Sequence, residues 1–158
     1  MYVDLDNIAT NVLKTDPDSS NEAKLTRALD KAMREIASEF GEIVEVFVFL
    51  PPQSSYLWAG MLYELGFIPI DCPRIKDKHG DDQDTVDATL KEKGWSLLEN
   101  FRDLSFLCLA SGDQDFSRFL RRVSQKGLKT IVVGASLGST ANALIDVADK
   151  TIILERAN

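Results

Sequence analysis

Two aspartates, Asp113 and Asp115, lie in a bend between an apolar segment and a helical pattern. Residues 104–110 have the length and apolar content of a strand that is buried on both faces, and apolar residues recur at helical spacing over 116–123. In an open parallel sheet, ligands bind at the carboxyl ends of the strands. The two carboxylates, together with Ser111 in the same bend, are therefore expected at the functional edge of a sheet.

Asp113 also has a simpler interpretation, because an aspartate before a helix often serves only as the N-cap of that helix. Two further aspartates weigh against this interpretation. Asp4 ends a short apolar opening, and Asp87 stands at the head of a later helical pattern. One acidic residue where a strand or helix begins or ends is ordinary, whereas a recurrence at one edge of a sheet indicates a site.

Carboxylates gathered at one edge repel one another and lose hydration, which costs free energy unless a cation or shared protons compensate. Mg²⁺ takes oxygen ligands, keeps several waters and commonly bridges protein carboxylates to phosphate oxygens. Such an ion lowers the pKa of a bound water and stabilises charge on a phosphate ester. The pattern therefore indicates metal-dependent chemistry on phosphate esters, and the neutral Asn7 is suited to holding a water or a ligand carboxylate.

Composition limits the other classes of function. A chain of 158 residues with 44% hydrophobic content can form one core, so we expect a single domain over residues 1–158. No apolar run approaches the roughly 20 residues of a membrane span, and the opening lacks the features of a signal peptide, which predicts a soluble, cytoplasmic protein.

Cys72 and Cys108 are expected to be reduced and buried. The single histidine, His79, argues against a zinc site and most histidine-based triads. The net charge of -7 argues against broad, nonspecific binding to a polyanion.

Strand patterns alternate with helical patterns along the whole chain. Predicted strands cover residues 1–5, 44–50, 67–71, 104–110, 129–133 and 151–154, and predicted helices cover 25–40, 54–65, 85–101, the segment from 115 and 139–148. Ser19 and Glu22 have the form of a capping box for the first long helix, while Gly41 and Gly66 are placed to end helices. Residues 73–84 are expected to form an exposed, mobile loop that could act as a lid or substrate guide.

Strands alternating with helices in this order predict a mostly parallel sheet with helices on both faces and right-handed crossovers. The fold class is therefore α/β, a three-layer sandwich.

Three motifs make the sequence similar to the NYN domain family of the PIN-like nuclease superfamily. They are Asp4-Leu5-Asp6-Asn7, matching an opening D-x-x-N; Val86-Asp87, matching a middle acidic motif; and Ser111-Gly112-Asp113-Gln114-Asp115-Phe116, matching S-G-D-x-D-F. The third motif is the most specific of the three, and the resemblance extends over most of the chain.

The resemblance implies a PIN-like, Rossmann-like α/β fold and a ribonuclease that depends on Mg²⁺ or Mn²⁺, with RNA as its partner. It also implies that Asp4, Asp87, Asp113 and Asp115 are metal-binding or catalytic, with Asn7 and Ser111 in support. Many relatives carry a further aspartate about two helical turns after the middle one. This chain departs from that pattern, with Glu92, Lys93 and Gly94 in the neighbourhood.

Contacts to a phosphate backbone need cations near the acidic edge. Arg118, Arg121 and Arg122 lie on the helix that starts at Asp115, opposite its apolar face, and are the candidates for substrate binding. Further cations occur in the predicted loop over 73–84. The alternative is an ordinary solvated helix face and polar loop.

Three functions are compatible with these residues. The favoured one is a metal-dependent ribonuclease, and the second is an RNA-binding or adaptor module that keeps the fold without turnover. The third is a phosphatase similar to the haloacid dehalogenases, since Asp4-Leu5-Asp6 resembles their D-x-D motif, although Ile8 stands where those enzymes have Thr or Val. The sequence does not determine the oligomeric state, and a homo-oligomer is compatible with it.

Overall fold

Six strands form one fully parallel sheet in a computed structural model that describes residues 1–13 and 21–154. The strands of the protein are β1 (Tyr2–Asp4), β2 (Phe47–Leu50), β3 (Ile68–Asp71), β4 (Ile75–Lys76), β5 (Asp82–Gln83), β6 (Phe106–Ala110), β7 (Lys129–Gly134) and β8 (Lys150–Ile153). The large sheet has the order β3-β2-β1-β6-β7-β8. β4 and β5 form a separate antiparallel hairpin.

Helices cover both faces of the sheet. They are α1 (Leu5–Val12), α2 (Asn21–Phe40), α3 (Pro52–Leu57), α4 (Ala59–Leu65), α5 (Val86–Asn100), α6 (Ser117–Gln125) and α7 (Asn142–Ile145). Two short 3₁₀ turns, Gln114–Phe116 and Leu137–Ser139, follow β6 and β7. The predicted three-layer α/β sandwich with a mostly parallel central sheet is confirmed.

Neighbouring residues of the strands point to opposite faces and build two apolar cores. Val3, Val48 and Cys108 belong to the core that contains buried residues of α1, α2 and α4. The intervening strand residues, such as Tyr2 and Leu109, belong to the core formed with α5, α6 and α7. Because Asp4 follows the alternation of Tyr2, its side chain is directed towards the layer that contains α5.

Helix α1 was absent from the prediction. The sequence predicts a strand over residues 1–5, but β1 ends at Asp4 and α1 begins at Leu5. The amphipathic spacing is present, since Leu5, Ile8 and Val12 are all buried. The helix was not predicted because the polar residues that follow β1 have the composition of a loop.

Two predicted helices differ in detail. The helix expected over 54–65 is two helices that meet at Trp58, and the carboxylate of Glu22 accepts a hydrogen bond from the Met61 amide (2.6 Å) near the start of the second one. Ser19 lies outside the described residues, so the capping box stays a prediction. Gly66 ends α4 with φ 66°, as expected. The helix expected over 139–148 is shortened to α7, after a bend in which the Ala141 amide donates to the carbonyl of Gly112 (3.0 Å).

The segment 73–84 contains the β4–β5 hairpin, whereas the sequence predicts a loop there. The carboxylate of Asp77 accepts hydrogen bonds from the amides of His79 (2.7 Å) and Asp81 (3.0 Å), and Gly80 supplies a positive φ of 84° at the turn. Hydrogen bonds in this turn, rather than apolar burial, form the hairpin, so the apolar pattern of the sequence does not predict it.

Candidate metal centre

The central strands bring the first and third motifs together. β1 pairs with β6 in a register that places Val3 opposite Ala110, so Asp4 and Ser111 lie side by side at the carboxyl edge. The Ser111 hydroxyl donates to Oδ2 of Asp4 (3.0 Å) and its oxygen accepts from the Asp113 amide (3.2 Å). A residue of the first motif is therefore connected through Ser111 to the bend that carries Asp113.

Three carboxylates converge at this edge. Asp87 in the first turn of α5, Asp113 after β6 and Asp115 in the following 3₁₀ turn each place one oxygen within 4.8 Å of the other two. We call these residues the acidic trio. Oδ1 of Asp113 accepts from the Asp115 amide (2.9 Å), so Asp113 is an N-cap as well as a member of the trio. The simpler interpretation of Asp113 and the functional one are thus compatible.

The trio fits a hard divalent cation. Carboxylate oxygens are the ligands that Mg²⁺ prefers, and in an octahedral shell with bonds of about 2.1 Å two oxygens lie roughly 3 to 4 Å apart. Side chains whose oxygens are within 4.8 Å of one another can reach these separations by small rotations. Asp115 is exposed while Asp87 and Asp113 are partly buried, so such an ion would keep an open side for water or substrate.

Asp4 lies beside the trio and outside it. Its side chain is buried, and its two oxygens accept from Ser111 Oγ and from the Asn7 amide (3.4 Å). The pKa of Asp4 is raised to about 7, mainly because the side chain is buried; the hydrogen bonds from Ser111 and the Asn7 amide lower it, and the charges of Asp87 and Asp113 add to the increase. Asp4 is therefore positioned to orient the bend through Ser111 and to respond to the charge of the trio.

Asp87 experiences the same unfavourable surroundings in a milder form. Burial raises its pKa, and the nearby charge of Asp113 adds to the effect. Lys91, one helical turn further along α5, acts in the opposite direction. A bound cation would therefore stabilise this site, because it would relieve the repulsion between the carboxylates.

The side chain of Asn7 holds the backbone of the bend. Its Oδ1 accepts from the Gly112 amide (2.9 Å), which gives this predicted supporting residue a structural partner. Gly112 is also tightly enclosed on its other side, because a Cβ atom there would overlap the carbonyl oxygen of Ser139. No larger residue fits this position without moving the turn after β7 away from the site.

Neither Glu92 nor position 94 adds a carboxylate to the trio. Glu92 is exposed and, within residues 1–13 and 21–154, is not among the acidic residues that converge. Gly94 packs against the ring of Tyr2, whose hydroxyl donates to the Gly94 carbonyl (2.6 Å). A Cβ atom at position 94 would lie 3.0 Å from a ring carbon of Tyr2, so the ring would have to shift slightly, and this position serves packing between α5 and β1.

Cations lie on one side of the trio. Lys91, Arg118 and Arg122 line a groove that also contains Asp115, whereas Arg121 does not line it. Lys91 was missed by the sequence analysis, although its spacing of four residues from Asp87 on a helix is a signal that the two side chains are neighbours. In the hairpin, Lys76 forms an exposed ion pair with Asp82 (2.7 Å).

In the part of the chain that the structure describes, no helix is both long enough and apolar enough to cross a membrane.

Comparison with known proteins gives a family and a fold. The profile of the NYN domain matches residues 1–155. An uncharacterized protein of Methanocaldococcus jannaschii is 33% identical over 124 residues, which are 78% of this chain and 46% of that protein, so this chain spans about half the length of that relative. A crystal structure of a protein of unknown function from Vibrio parahaemolyticus has a TM-score of 0.74 at 21% identity, covering 98% of this chain and 90% of the other.

Proposed function

This chain belongs to the NYN domain family, and from that membership and the acidic trio we propose that it is a metal-dependent ribonuclease that hydrolyses phosphodiester bonds of RNA. The family is generally one of nucleases, which supports hydrolysis as the reaction. The observation that carries the proposal is the convergence of Asp87, Asp113 and Asp115 at the carboxyl edge of the sheet.

The proposed roles follow from the positions of the side chains. Asp87, Asp113 and Asp115 would hold Mg²⁺ or Mn²⁺, and the buried Asp4 completes the catalytic set by holding the bend through Ser111. When bound, the ion supplies a Lewis acid beside the phosphate and lowers the pKa of a water. Water adds to phosphorus and gives up a proton to solvent, one ester P–O bond breaks, and the displaced oxygen takes up a proton from solvent.

Support for this division of roles comes from exposure. Asp115 faces solvent, where a substrate can approach, whereas Asp4 is only 6% exposed. Both oxygens of Asp4 already accept hydrogen bonds, so this carboxylate is poorly placed to attack a phosphate as a nucleophile. The phosphatase alternative, which requires that attack, gains no support from these contacts.

The test is a cleavage assay with RNA of mixed sequence in Mg²⁺, in Mn²⁺ and in chelator. The proposal expects fragments with at least one of the metals and none in chelator. Heat-inactivated protein and the Asp113→Asn variant, prepared identically, control for a contaminating ribonuclease. Cleavage that persists in chelator, or that is equal in the variant, would contradict the proposed site.

A second candidate is an RNA-binding module without turnover. Its specific support is that, among the described residues, no further carboxylate of α5 joins Asp87 in the trio: Lys91 stands one turn after it, and Gly94, which packs against Tyr2, lies in the region where many relatives have a further aspartate. The same assay separates the two functions, because this module would bind RNA and leave it intact with either metal.

A further inference from the structure

We propose that the groove between α5 and α6 binds a backbone phosphate of the RNA next to the bond that is cleaved, through Lys91, Arg118 and Arg122. The inference rests on the proposed function, which supplies the identity of the polyanion. It assigns binding roles to Lys91 and, indirectly, to Trp95, and it does not include Arg121.

The groove is continuous with the acidic trio. It has a volume of about 500 Å³ and, among the described residues, is lined by Lys91, Gln114, Asp115, Ser117, Arg118, Phe119 and Arg122. Asp115 belongs to both the groove and the trio, so a ligand in the groove reaches the candidate metal centre. The groove contains three cationic side chains and one carboxylate, so it favours binding of an anion although the whole chain has a net charge of -7.

Arg122 is held in place before any ligand arrives. Its guanidinium carbon lies 3.7 Å from the centre of the Trp95 ring, a cation–π contact. Trp95 is fixed in turn, because its Nε1 donates to the carboxylate of Glu99 (2.8 Å) and its ring packs edge to face against Phe119. A guanidinium that is already oriented loses less conformational entropy when it binds phosphate with two parallel hydrogen bonds.

Lys91 stands at the junction of the groove and the trio. Its ammonium lies 5.3 Å from the centre of the Phe116 ring, and Phe116 is buried beneath the bend. A phosphate held in the groove beside Asp115 would meet this ammonium. Arg118, one turn before Arg122 on α6, also lines the groove.

Arg121 provides a matched control, because it has the same charge, lies on the same helix and is also exposed. It differs in lying outside the groove lining. If binding were only a matter of net charge, Arg121 and Arg122 would be equivalent. If the groove is the phosphate-binding site, replacing Arg122 should weaken RNA binding more than replacing Arg121.

The experiment measures binding of a short fluorescein-labelled RNA of mixed sequence in chelator, by anisotropy over a range of salt concentrations. Arg122→Ala and Lys91→Ala are each expected to weaken binding about tenfold, as for a lost hydrogen bond between charged groups, and to reduce the salt slope by about 0.7. Arg121→Ala should change affinity less than about twofold, because it removes only a screened, distant charge.

The Trp95 contact is tested with substitutions that keep the charge of Arg122. Arg122→Lys should lower the affinity for RNA several-fold, because lysine lacks the planar guanidinium that stacks on Trp95 and forms two parallel hydrogen bonds with phosphate. Arg121→Lys should leave the affinity unchanged. Trp95→Leu should weaken binding about as much as Arg122→Lys, with circular dichroism confirming that the variant is folded. Equal effects of the two lysine variants would overturn the assigned role of the stack.

The outcomes separate this inference from the proposed function. If wild type cleaves RNA and the Arg122 and Lys91 variants retain its affinity and KM, the groove assignment is wrong and the ribonuclease stands. If those variants lose RNA affinity and wild type cleaves nothing with either metal, the groove stands and the ribonuclease fails. Failure of the wild type to bind RNA overturns the groove assignment.

Discussion

Two aspartates at opposite edges of the same sheet have opposite environments. Asp149, before β8 at the amino edge, is exposed, accepts from the Thr130 amide (2.8 Å) and the Thr130 hydroxyl (3.3 Å), and lies 3.6 Å from Lys129 Nζ. The hydrogen bond from the Thr130 amide lowers the pKa of Asp149, and Lys129 adds to this. Asp4, at the carboxyl edge, is buried near like charges and its pKa is raised to about 7.

The contrast distinguishes a structural carboxylate from carboxylates assembled for a ligand. Asp149 has its donors and its counter-ion within the protein, so its ionised form already stabilises the fold. The trio and Asp4 have more negative charge than the protein's own contacts compensate, and the trio is open to solvent through the exposed Asp115. The proposed function assigns an external cation to the trio, so variants at the two edges should behave differently.

The largest expected effect is on catalysis. Asp113→Asn and Asp115→Asn keep side-chain size but remove a charge, and each should lower the rate of RNA cleavage by about two orders of magnitude or more. Asp149→Asn removes the same charge at the other edge and should leave the rate unchanged. Initial rates under single-turnover conditions measure this, and a loss of rate in the Asp149 variant would remove the functional contrast.

The second effect is the pH dependence of stability in the metal-free protein. Because the folded-state pKa of Asp4 is above the ordinary value of about 3.9, the folded state binds more protons between pH 4 and 7, and its stability falls as pH rises through that window. Above pH 7 the cost is complete, on the order of a few kcal/mol. Asp4→Asn should therefore be more stable than wild type at pH 8 and equal to it near pH 4.

Denaturant unfolding in chelator at several pH values measures this difference. The hydroxyl of Ser111 can donate to or accept from the asparagine, so the local contacts persist in the variant. Parallel pH profiles for wild type and Asp4→Asn would show that the burial of this carboxylate has no energetic consequence.

Metal binding gives the third effect. Mg²⁺ or Mn²⁺ at about 100 times its dissociation constant should stabilise the fold by about 2.7 kcal/mol, because it binds the folded state alone. Asp113→Asn should weaken this stabilisation and raise the stability of the metal-free protein, since it relieves the repulsion acting on Asp87 and Asp4. Thermal shifts and calorimetry measure both quantities; a metal-free variant less stable than wild type would count against the clustering of charge.

The smallest effect belongs to Asp149. Asp149→Asn should reduce stability at neutral pH by less than about 1 kcal/mol, because exposed ion pairs are screened by solvent. The sign with pH is opposite to that of Asp4: with a lowered folded-state pKa, the contribution is present above the unfolded pKa and is lost as pH falls through the folded one. Unfolding at pH 7 and pH 3 measures it, and an equal stability difference at the two pH values would contradict it.

The sheet and the acidic edge could be predicted because they depend on local patterns. Apolar runs located all six strands of the large sheet, and the positions of Asp87, Asp113 and Asp115 relative to predicted elements placed them at one edge. Helix α1 was missed because its polar residues directly follow the strand. The β4–β5 hairpin was missed because hydrogen bonds to Asp77, rather than apolar periodicity, define it.

The parts of the site that escaped prediction depend on contacts between distant segments. The pairing of Arg122 with Trp95 requires the packing of α6 against α5, which no local pattern reveals. The hydrogen bond from Ser111 to Asp4 spans 107 positions and depends on the order of strands in the sheet. Sequence patterns identified the chemical groups, while strand order and helix packing determined which of them meet.

The peptide groups flanking Gly112 have a consequence for synthesis on the ribosome. The Gly112 amide donates to the side chain of Asn7, more than 100 residues earlier, and its carbonyl accepts from the Ala141 amide, 29 residues later. A nascent chain can therefore complete this bend only after residue 141 has left the exit tunnel. Until then the aspartates are present without their final arrangement, so a ribonuclease built in this way would stay inactive until residue 141 has emerged.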